Sequence, residues 1–312
     1  MITFEKSEKI FKTPFMDLIN ESHSVHIKYH KSNEIKASVA CSVQSGGCPE
    51  DCAYCSQSTK NRTNLPKETI TDINDIVAAA KRAKEMGASK FCLGAMGRRP
   101  DPEVFNLVCE AIAKIKDLEL EICATMGTLN EEQTKRLKNA GCNNYNHNVD
   151  TSPEYYKKII TTRTQEERIQ TINLIQKHGL KVCSGGILGM GETNEDRIKM
   201  ITLLANLKEP PAIIPLNKHI KIPGTRLEIT PEIDPFDFVR CIALARILMP
   251  KAMIYIAAGR ESMSDVFQAL CFFAGGNGIF IGDKLLTVQN SKTGNDLKLL
   301  ERLNLNLAKN AN

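Results

Sequence analysis

The chain has 312 residues, of which 42% are hydrophobic and 25% charged, the composition of a folded globular protein. Its 41 basic and 36 acidic residues give a formal net charge of +5, and the scattered basic residues argue against nucleic acid as a partner. No stretch matches a secretion signal or the roughly 18 to 20 apolar residues of a membrane helix, so we expect a cytoplasmic protein with no membrane association.

Short apolar segments alternate with longer amphipathic ones, the pattern of alternating strands and helices. One long helix is predicted over residues 152–179, and eight strands are predicted over residues 37–43, 90–96, 118–126, 143–150, 180–187, 212–217, 252–259 and 278–283. Eight such units predict an α/β fold, the (βα)₈ or TIM barrel. The expected division is an N-terminal helical extension over 1–34, the barrel over 35–290 and a C-terminal segment over 291–312.

The loop after the first strand reads GGCPEDCAYCSQS and places Cys48, Cys52 and Cys55 in a CxxxCxxC spacing. Three thiolates this close together can bind three irons of a cubane cluster and leave the fourth iron open. A structural zinc site needs four closed ligands, and no second cysteine or histidine pair follows. The spacing therefore predicts a [4Fe-4S] cluster with one open coordination site.

This cysteine spacing after the first barrel strand is the signature of the radical S-adenosylmethionine enzymes. The strings YNHNVDTSPEYY, TTRTQEER, KVCSGGILGMGET, FDFVRCIALARILMP and AAGRESM extend the likeness, and together they resemble the biotin synthase family. The resemblance implies a sulfurtransferase that converts dethiobiotin to biotin, with S-adenosylmethionine as radical source and an auxiliary iron-sulfur cluster as sulfur donor. It also implies a flavodoxin or ferredoxin as electron donor, and a homodimer.

The segment 143–150 alternates so that Asn146, Asn148 and Asp150 are predicted to share one face, directed into the barrel. Buried amides and carboxylates need hydrogen-bond partners, which the hydroxyl groups of a ligand can supply. By resemblance, Asp150 binds the ribose of S-adenosylmethionine and Asn148 lies between cofactor and substrate. Asn217, at the end of the sixth strand, matches the asparagine that binds the ureido ring of dethiobiotin, and an amide can both donate to and accept from a urea.

Further cofactor contacts follow from the resemblance alone. Tyr54 matches the aromatic position beside the adenine of S-adenosylmethionine. Arg168 matches the arginine that pairs with the methionine carboxylate. Gly189, Gly191 and Glu192 match a loop that approaches the cofactor.

Cys92, Cys123 and Cys183 fall in the middle of three predicted strands and match the cysteines that bind the auxiliary cluster of the family. Biotin synthases usually have an arginine as its fourth ligand, but this chain has Tyr255 there, and a phenol is a poor iron ligand. Cys41 in the first strand is predicted to be the fourth ligand instead. Four thiolates predict a four-iron auxiliary cluster with extra sulfide, as in variant biotin synthases of anaerobes, rather than a [2Fe-2S] cluster. The alternative is a packed Cys41 beside a three-cysteine cluster.

Two other functions fit part of this pattern. Another radical S-adenosylmethionine enzyme, such as a hydrogenase-cluster maturase, shares the first cysteine motif, but the second cysteine group and Asn217 argue against it. A non-enzymatic iron-sulfur protein would have every iron closed, whereas the CxxxCxxC motif leaves one open.

Overall fold

The computed structural model describes residues 1–308 and consists of eight parallel strands closed into a barrel. The last strand pairs with the first, so the sheet has no open edge between them. The predicted (βα)₈ barrel is therefore confirmed. Its strands are β1 (Glu34–Ser45), β2 (Lys90–Ala95), β3 (Glu121–Thr125), β4 (Asn144–Asn146), β5 (Lys181–Cys183, resuming as Gly186–Leu188), β6 (Ile213–Lys218), β7 (Met253–Ile256) and β8 (Gly278–Phe280).

Helices cover the outside of the barrel. They are α1 (Phe4–Phe11), α2 (Phe15–Tyr29), α3 (Ile73–Glu85), α4 (Pro102–Ile115), α5 (Glu131–Ala140), α6 (Pro153–Ile159), α7 (Gln165–Lys177), α8 (Asn194–Ala205), α9 (Pro235–Leu248), α10 (Asp265–Phe273) and α11 (Thr293–Arg302). Asp, Ser, Thr and Asn side chains begin most of them, as helix N-termini prefer.

The helix predicted over 152–179 is wrong as a single element, because α6 and α7 are separated by residues 160–164. Ile160 has an extended backbone, and Thr164 begins α7 through a capping box in which its side chain and that of Glu167 bind each other's backbone N–H. The break matters because it brings the segment 160–164 to the carboxyl end of the barrel, where the cysteine loop lies.

The N-terminal extension is helical, as predicted, and α2 packs against α9. After β8 the chain forms a short hairpin, Lys284–Leu285 with Val288–Gln289, and then α11 and a strand parallel to β1. The division into 1–34, 35–290 and 291–312 stays a prediction, and residues 309–312 of its last part lie outside the described residues. No helix within residues 1–308 is both long and apolar enough to cross a membrane.

Alternation along the strands separates two environments. In β1, Ser38 contacts a side chain inside the barrel and Ala40 lines an interior cavity, whereas Val43 belongs to the apolar core between sheet and helices. A smaller interior cluster contains Cys123, Cys183, Ile213, Tyr255 and Ala257. The barrel is thus packed with apolar side chains on the outside of its sheet and lined by thiols and polar groups on the inside.

Candidate active site

The three cysteines of the CxxxCxxC motif lie on the loop after β1, at the carboxyl end of the barrel. The loop is folded by its own hydrogen bonds: Asn61 Nδ2 donates to the carbonyls of Cys52 and Cys55 at 3.0 and 2.8 Å. Cys48, Cys52 and Cys55 all line one cavity of about 200 Å³, here called the upper cavity. It is also lined by Gln44, Thr125, Asn148, Asp150, Arg163 and Arg168.

The donor set of the upper cavity fits an iron-sulfur cluster. All three thiols are free, and burial raises the pKa of Cys52 to about 12 and that of Cys55 to about 11. Such thiols need a metal to become thiolates, because coordination removes the proton.

Two acidic residues inside the cysteine motif clamp this loop to the segment between α6 and α7. Asp51 accepts from Thr161 N at 2.9 Å, from Thr161 Oγ1 at 2.5 Å and from Thr162 N at 3.2 Å, while Glu50 accepts from Thr162 Oγ1 at 2.6 Å. Burial opposes ionisation, but these hydrogen bonds lower the pKa of Asp51 to about 2. The sequence analysis missed both residues, although acidic side chains between cysteine ligands need a partner other than iron.

Tyr54, Asp150 and Arg168 are linked beside the cysteine loop, and the last two are buried. Tyr54 donates its hydroxyl proton to Asp150 Oδ2 at 2.8 Å, and the same oxygen lies 2.6 Å from Arg168 Nη2. Arg168 also donates from Nε to the Tyr156 hydroxyl and from Nη1 to the Asn148 carbonyl, both at 2.8 Å. Asp150 has a left-handed backbone, with φ of 69°, and this turns its carboxylate towards both partners.

Asn148 lies where three cavities meet. It lines the upper cavity, a second cavity deeper in the barrel and a third towards the entrance, the last two of about 140 and 220 Å³. Its Oδ1 accepts from Asn146 Nδ2 at 3.0 Å and from Gly185 N at 3.2 Å. Asn217 lines both the deeper and the entrance cavity, with its Nδ2 bound to the Gly186 carbonyl at 3.0 Å.

The deeper cavity, here called the lower cavity, brings Cys92, Cys123 and Cys183 together as the sequence predicted. Parallel pairing sets Cys92 opposite Cys123, and Asn146 Nδ2 donates to Cys183 Sγ at 3.3 Å. The Cys123 thiol and burial both raise the pKa of Cys183. Three adjacent thiols from three strands fit a second cluster deep in the barrel.

The prediction that Cys41 is the fourth ligand of this cluster is wrong. Its neighbour Ala40 lines the lower cavity, and because side chains alternate along a strand, Cys41 lies on the other face of β1. There it packs against the outer core, near Arg82 of α3. The argument from Cys41 for a four-iron auxiliary cluster falls with it, leaving the alternative of a packed Cys41 beside three cysteines.

Tyr255 and Lys90 lie inside the barrel below the lower cavity. Tyr255 is fully buried, and its hydroxyl accepts from Ser38 Oγ at 3.0 Å. A Cβ at Gly278 would lie 2.4 Å from the Tyr255 ring, so only glycine leaves room for it. Lys90 Nζ lies 5.1 Å from the centre of this ring and 3.4 Å from Glu121 Oε2, with only 3% of its side chain exposed. The sequence analysis missed this buried cation.

The loop after β5 is held together by Glu192, whose predicted contact with the cofactor stays a prediction. Its carboxylate accepts from Gly189 N at 2.7 Å and Met190 N at 2.6 Å, and pairs with Arg197 Nε at 2.7 Å. Gly189 and Gly191 have φ values of 96°, which favour glycine and allow this tight turn. A cofactor contact by these two glycines stays a prediction.

A barrel with an open three-cysteine loop at its carboxyl end defines the class of radical S-adenosylmethionine enzymes. The model of the radical SAM superfamily matches residues 43–204, and the biotin and thiamin synthesis associated domain matches residues 215–306. Solved structures agree in fold. A methylornithine synthase superposes with a TM-score of 0.82 at 18% identity, covering 99% of this chain and 95% of its own.

Sequence comparison identifies the family within this class. The biotin synthase of Neorickettsia sennetsu is 52% identical over 302 residues, which cover 97% of this chain and 93% of the relative. That of Rickettsia felis is 50% identical over 97% of this chain and 98% of its own length. The chain belongs to the biotin synthase family.

Proposed function

We propose that this protein converts dethiobiotin to biotin with S-adenosylmethionine as co-substrate. The upper cavity would hold the radical cluster of this reaction, and the lower cavity the auxiliary cluster. The observation that carries this proposal is the pair of three-cysteine groups in one barrel, separated by a wall that contains Asn146 and Asn148. When bound, a reduced [4Fe-4S] cluster and S-adenosylmethionine supply a 5′-deoxyadenosyl radical, and the auxiliary iron-sulfur cluster supplies sulfur.

Cys48, Cys52 and Cys55 would hold the upper cluster, and Cys92, Cys123 and Cys183 the auxiliary one. Among residues 1–308, three thiols and no fourth line the cavity of the upper loop, which would leave one iron for the amino acid group of S-adenosylmethionine. In the lower cavity the thiols are fixed by strand pairing.

Tyr54, Asn148, Asp150 and Arg168 would bind S-adenosylmethionine. The Asp150 carboxylate is held by Tyr54 and Arg168, and it lines the cavity, so it is oriented to accept hydrogen bonds from ribose hydroxyls. Tyr54 lines both the upper and the entrance cavity, a position that suits an aromatic neighbour for adenine. Asn148 would contact both the cofactor and the substrate.

Dethiobiotin would lie between the entrance and lower cavities. Asn217 faces both cavities. Its Nδ2 donates to the Gly186 carbonyl and its Oδ1 accepts from Ala258 N, so one N–H and one oxygen lone pair remain for the ureido ring. Ile187, Ile220 and Leu285 line the entrance cavity and supply apolar surface for an aliphatic chain. The hairpin that carries Leu285 and Leu286 also covers the lower cavity, which excludes water from the reacting carbons.

A cytoplasmic location, a flavodoxin or ferredoxin as electron donor and a homodimer belong to the same proposal. The eleven free cysteines suit a reducing compartment, and reductive cleavage requires a low-potential donor. Exposed Met16, Phe236 and Phe273 on α2, α9 and α10 supply apolar surface for a second copy.

Anaerobic reconstitution followed by addition of reductant and S-adenosylmethionine tests the proposal. We expect 5′-deoxyadenosine and, with dethiobiotin present, biotin. An enzyme for another substrate would cleave S-adenosylmethionine without making biotin, and an iron-sulfur carrier would cleave none. Iron and sulfide counts with Mössbauer spectra of wild type and Cys123→Ala would show whether two clusters are present.

A further inference from the structure

The upper cavity contains a second arginine, Arg163, two of whose guanidinium nitrogens make no hydrogen bond. Its side chain is only 10% exposed, and its Nε and Nη1 atoms are buried without a hydrogen-bond partner. The nearest acidic group is Glu50, whose Oε2 lies 3.5 Å from Nε, too far for a well-formed hydrogen bond. Leaving charged donors buried and unpaired is costly, so a ligand is expected to complete them.

The position of Arg163 is set by hydrogen bonds of its neighbours in the chain and not by hydrogen bonds of its own guanidinium. Its neighbours Thr161 and Thr162 are bound by Asp51 and Glu50 of the cysteine loop. The backbone of Arg163 is therefore fixed relative to the three cluster cysteines. This arrangement places a guanidinium with two free N–H donors beside the thiols of Cys48 and Cys52, and its charge lowers the pKa of both thiols, against the effect of burial.

Arg168 differs in this respect. Its Nε and Nη1 atoms donate to the Tyr156 hydroxyl and the Asn148 carbonyl at 2.8 Å. Its Nη2 atom forms an ion pair with Asp150 Oδ2 at 2.6 Å, without hydrogen-bond geometry. An external anion at Arg168 would share the guanidinium with the Asp150 carboxylate, whereas the Nε and Nη1 atoms of Arg163 have no hydrogen bond to lose.

We propose that Arg163 is an anion-binding residue of the radical site, donating Nε–H and Nη1–H to a negatively charged acceptor held at the three-cysteine loop. Two acceptors have this chemistry: the carboxylate of S-adenosylmethionine and the sulfur atoms of the cluster itself. The inference rests on the proposed function, because both acceptors belong to it. In this role Arg163 acts through its charge and its hydrogen bonds, and it transfers no proton.

The test compares Arg163→Gln and Arg163→Lys with wild type in three measurements. The first is iron content and the yield of 5′-deoxyadenosine and biotin in wild type, which tests the proposed function by itself. The second is equilibrium binding of S-adenosylmethionine and of its decarboxylated analogue to the reconstituted protein. The third is the midpoint potential of the upper cluster without either ligand. Arg136→Gln is the matched control, since it removes an arginine that binds Asn106 at the surface.

If the carboxylate is the acceptor, Arg163→Gln weakens S-adenosylmethionine binding about ten- to a hundredfold and the decarboxylated analogue much less. If the cluster is the acceptor, the ratio of the dissociation constants of the two ligands stays as in wild type. The midpoint potential of the upper cluster then becomes more negative, because a nearby positive charge is lost. In either case Arg163→Lys restores part of the effect.

The inference would be overturned if Arg163→Gln, at wild-type iron content, changed neither the ratio of the two dissociation constants nor the midpoint potential of the upper cluster. An Arg163→Lys variant as impaired as Arg163→Gln with the iron content of both reduced would also overturn it, since that indicates a packing role. Wild type that makes no 5′-deoxyadenosine would instead count against the proposed function.

Discussion

The two cysteine groups of this barrel are built in opposite ways. One group lies on a single loop and spans eight consecutive residues, with the thiols of Cys48, Cys52 and Cys55. Cys92, Cys123 and Cys183 come from β2, β3 and β5, so only the closed sheet brings them together. A loop can leave one side of a cluster open to a co-substrate, whereas strands enclose a cluster and fix it deep in the molecule.

The surroundings of the two groups also differ, because the upper group is held by charged side chains and the lower group by apolar packing. The upper loop is held by charged hydrogen bonds from Glu50 and Asp51, which join it to a separate segment of the chain. The lower group lies in a largely apolar cluster with a single buried lysine, Lys90, near its thiols. The upper site therefore depends on electrostatic links that can be removed one at a time, and the lower site on packing and strand register.

The sharpest way to separate the two groups is to remove one thiol from the loop. Cys48→Ala, Cys52→Ala or Cys55→Ala is expected to abolish both 5′-deoxyadenosine and biotin formation, because a cluster with two protein ligands is not retained. Iron bound by the lower cysteines should remain. The measurements are product analysis and iron counting, and retained cleavage of S-adenosylmethionine in any of the three variants would contradict the assignment.

Removing a thiol from the lower group is expected to uncouple the two activities. Cys123→Ala should stop biotin formation and lower the iron content, while cleavage of S-adenosylmethionine continues at the upper site. Cys41→Ala is the matched control, because Cys41 packs on the outer face of β1. It should keep its iron and its biotin formation and lose only about 1 kcal/mol of stability. Loss of the auxiliary spectrum in Cys41→Ala would show that this side chain lies inside the barrel.

These differences also explain what the sequence could predict. The eight strands and the upper cysteines follow from local patterns, and the lower cysteines from family resemblance. Cys41 was assigned wrongly because its side chain's face depends on the register of β1, which local composition does not show. Glu50, Asp51 and Arg163 were missed because their contacts join segments more than 100 residues apart in the chain. The break at 160–164 was not predicted, because the sequence pattern on both sides of it is helical.

Asn217 lies where the entrance and lower cavities join, so it tests whether the substrate reaches the lower group. Asn217→Ala is expected to weaken dethiobiotin binding by about 1 to 3 kcal/mol, the usual cost of leaving a buried polar group unpaired. Binding of S-adenosylmethionine should change much less. Unaltered affinity for dethiobiotin, measured by equilibrium binding, would show that the ureido ring has another partner.

The electrostatic links of the upper loop predict a specific acid sensitivity. Because the folded pKa of Asp51 is lowered to about 2 from a usual 3.8, its contribution to stability is complete above about pH 4. It is lost as the pH falls towards 2, when the carboxylate is protonated. The difference in unfolding free energy between wild type and Asp51→Asn should therefore shrink over this range. A difference that stays constant from pH 5 to pH 2 would show that the Asp51 charge does not hold the loop.

The smallest expected effect concerns the floor of the lower group. Tyr255 occupies the position where the family usually has an iron-binding arginine, but in this structure its hydroxyl accepts a hydrogen bond from Ser38 and does not line the lower cavity. Tyr255→Phe keeps the ring packed against Gly278 and removes only that bond. We expect a loss of about 0.5 to 1.5 kcal/mol in the free energy of unfolding, with the iron count and the auxiliary spectrum unchanged. Tyr255→Ala is the contrasting variant, because it opens a cavity under the cysteines and should destabilise the barrel by about 3 to 5 kcal/mol. If Tyr255→Phe lost auxiliary iron while remaining as stable as wild type, the phenol would have to be a cluster ligand, and the lower group would no longer rest on three thiols held by strand register alone.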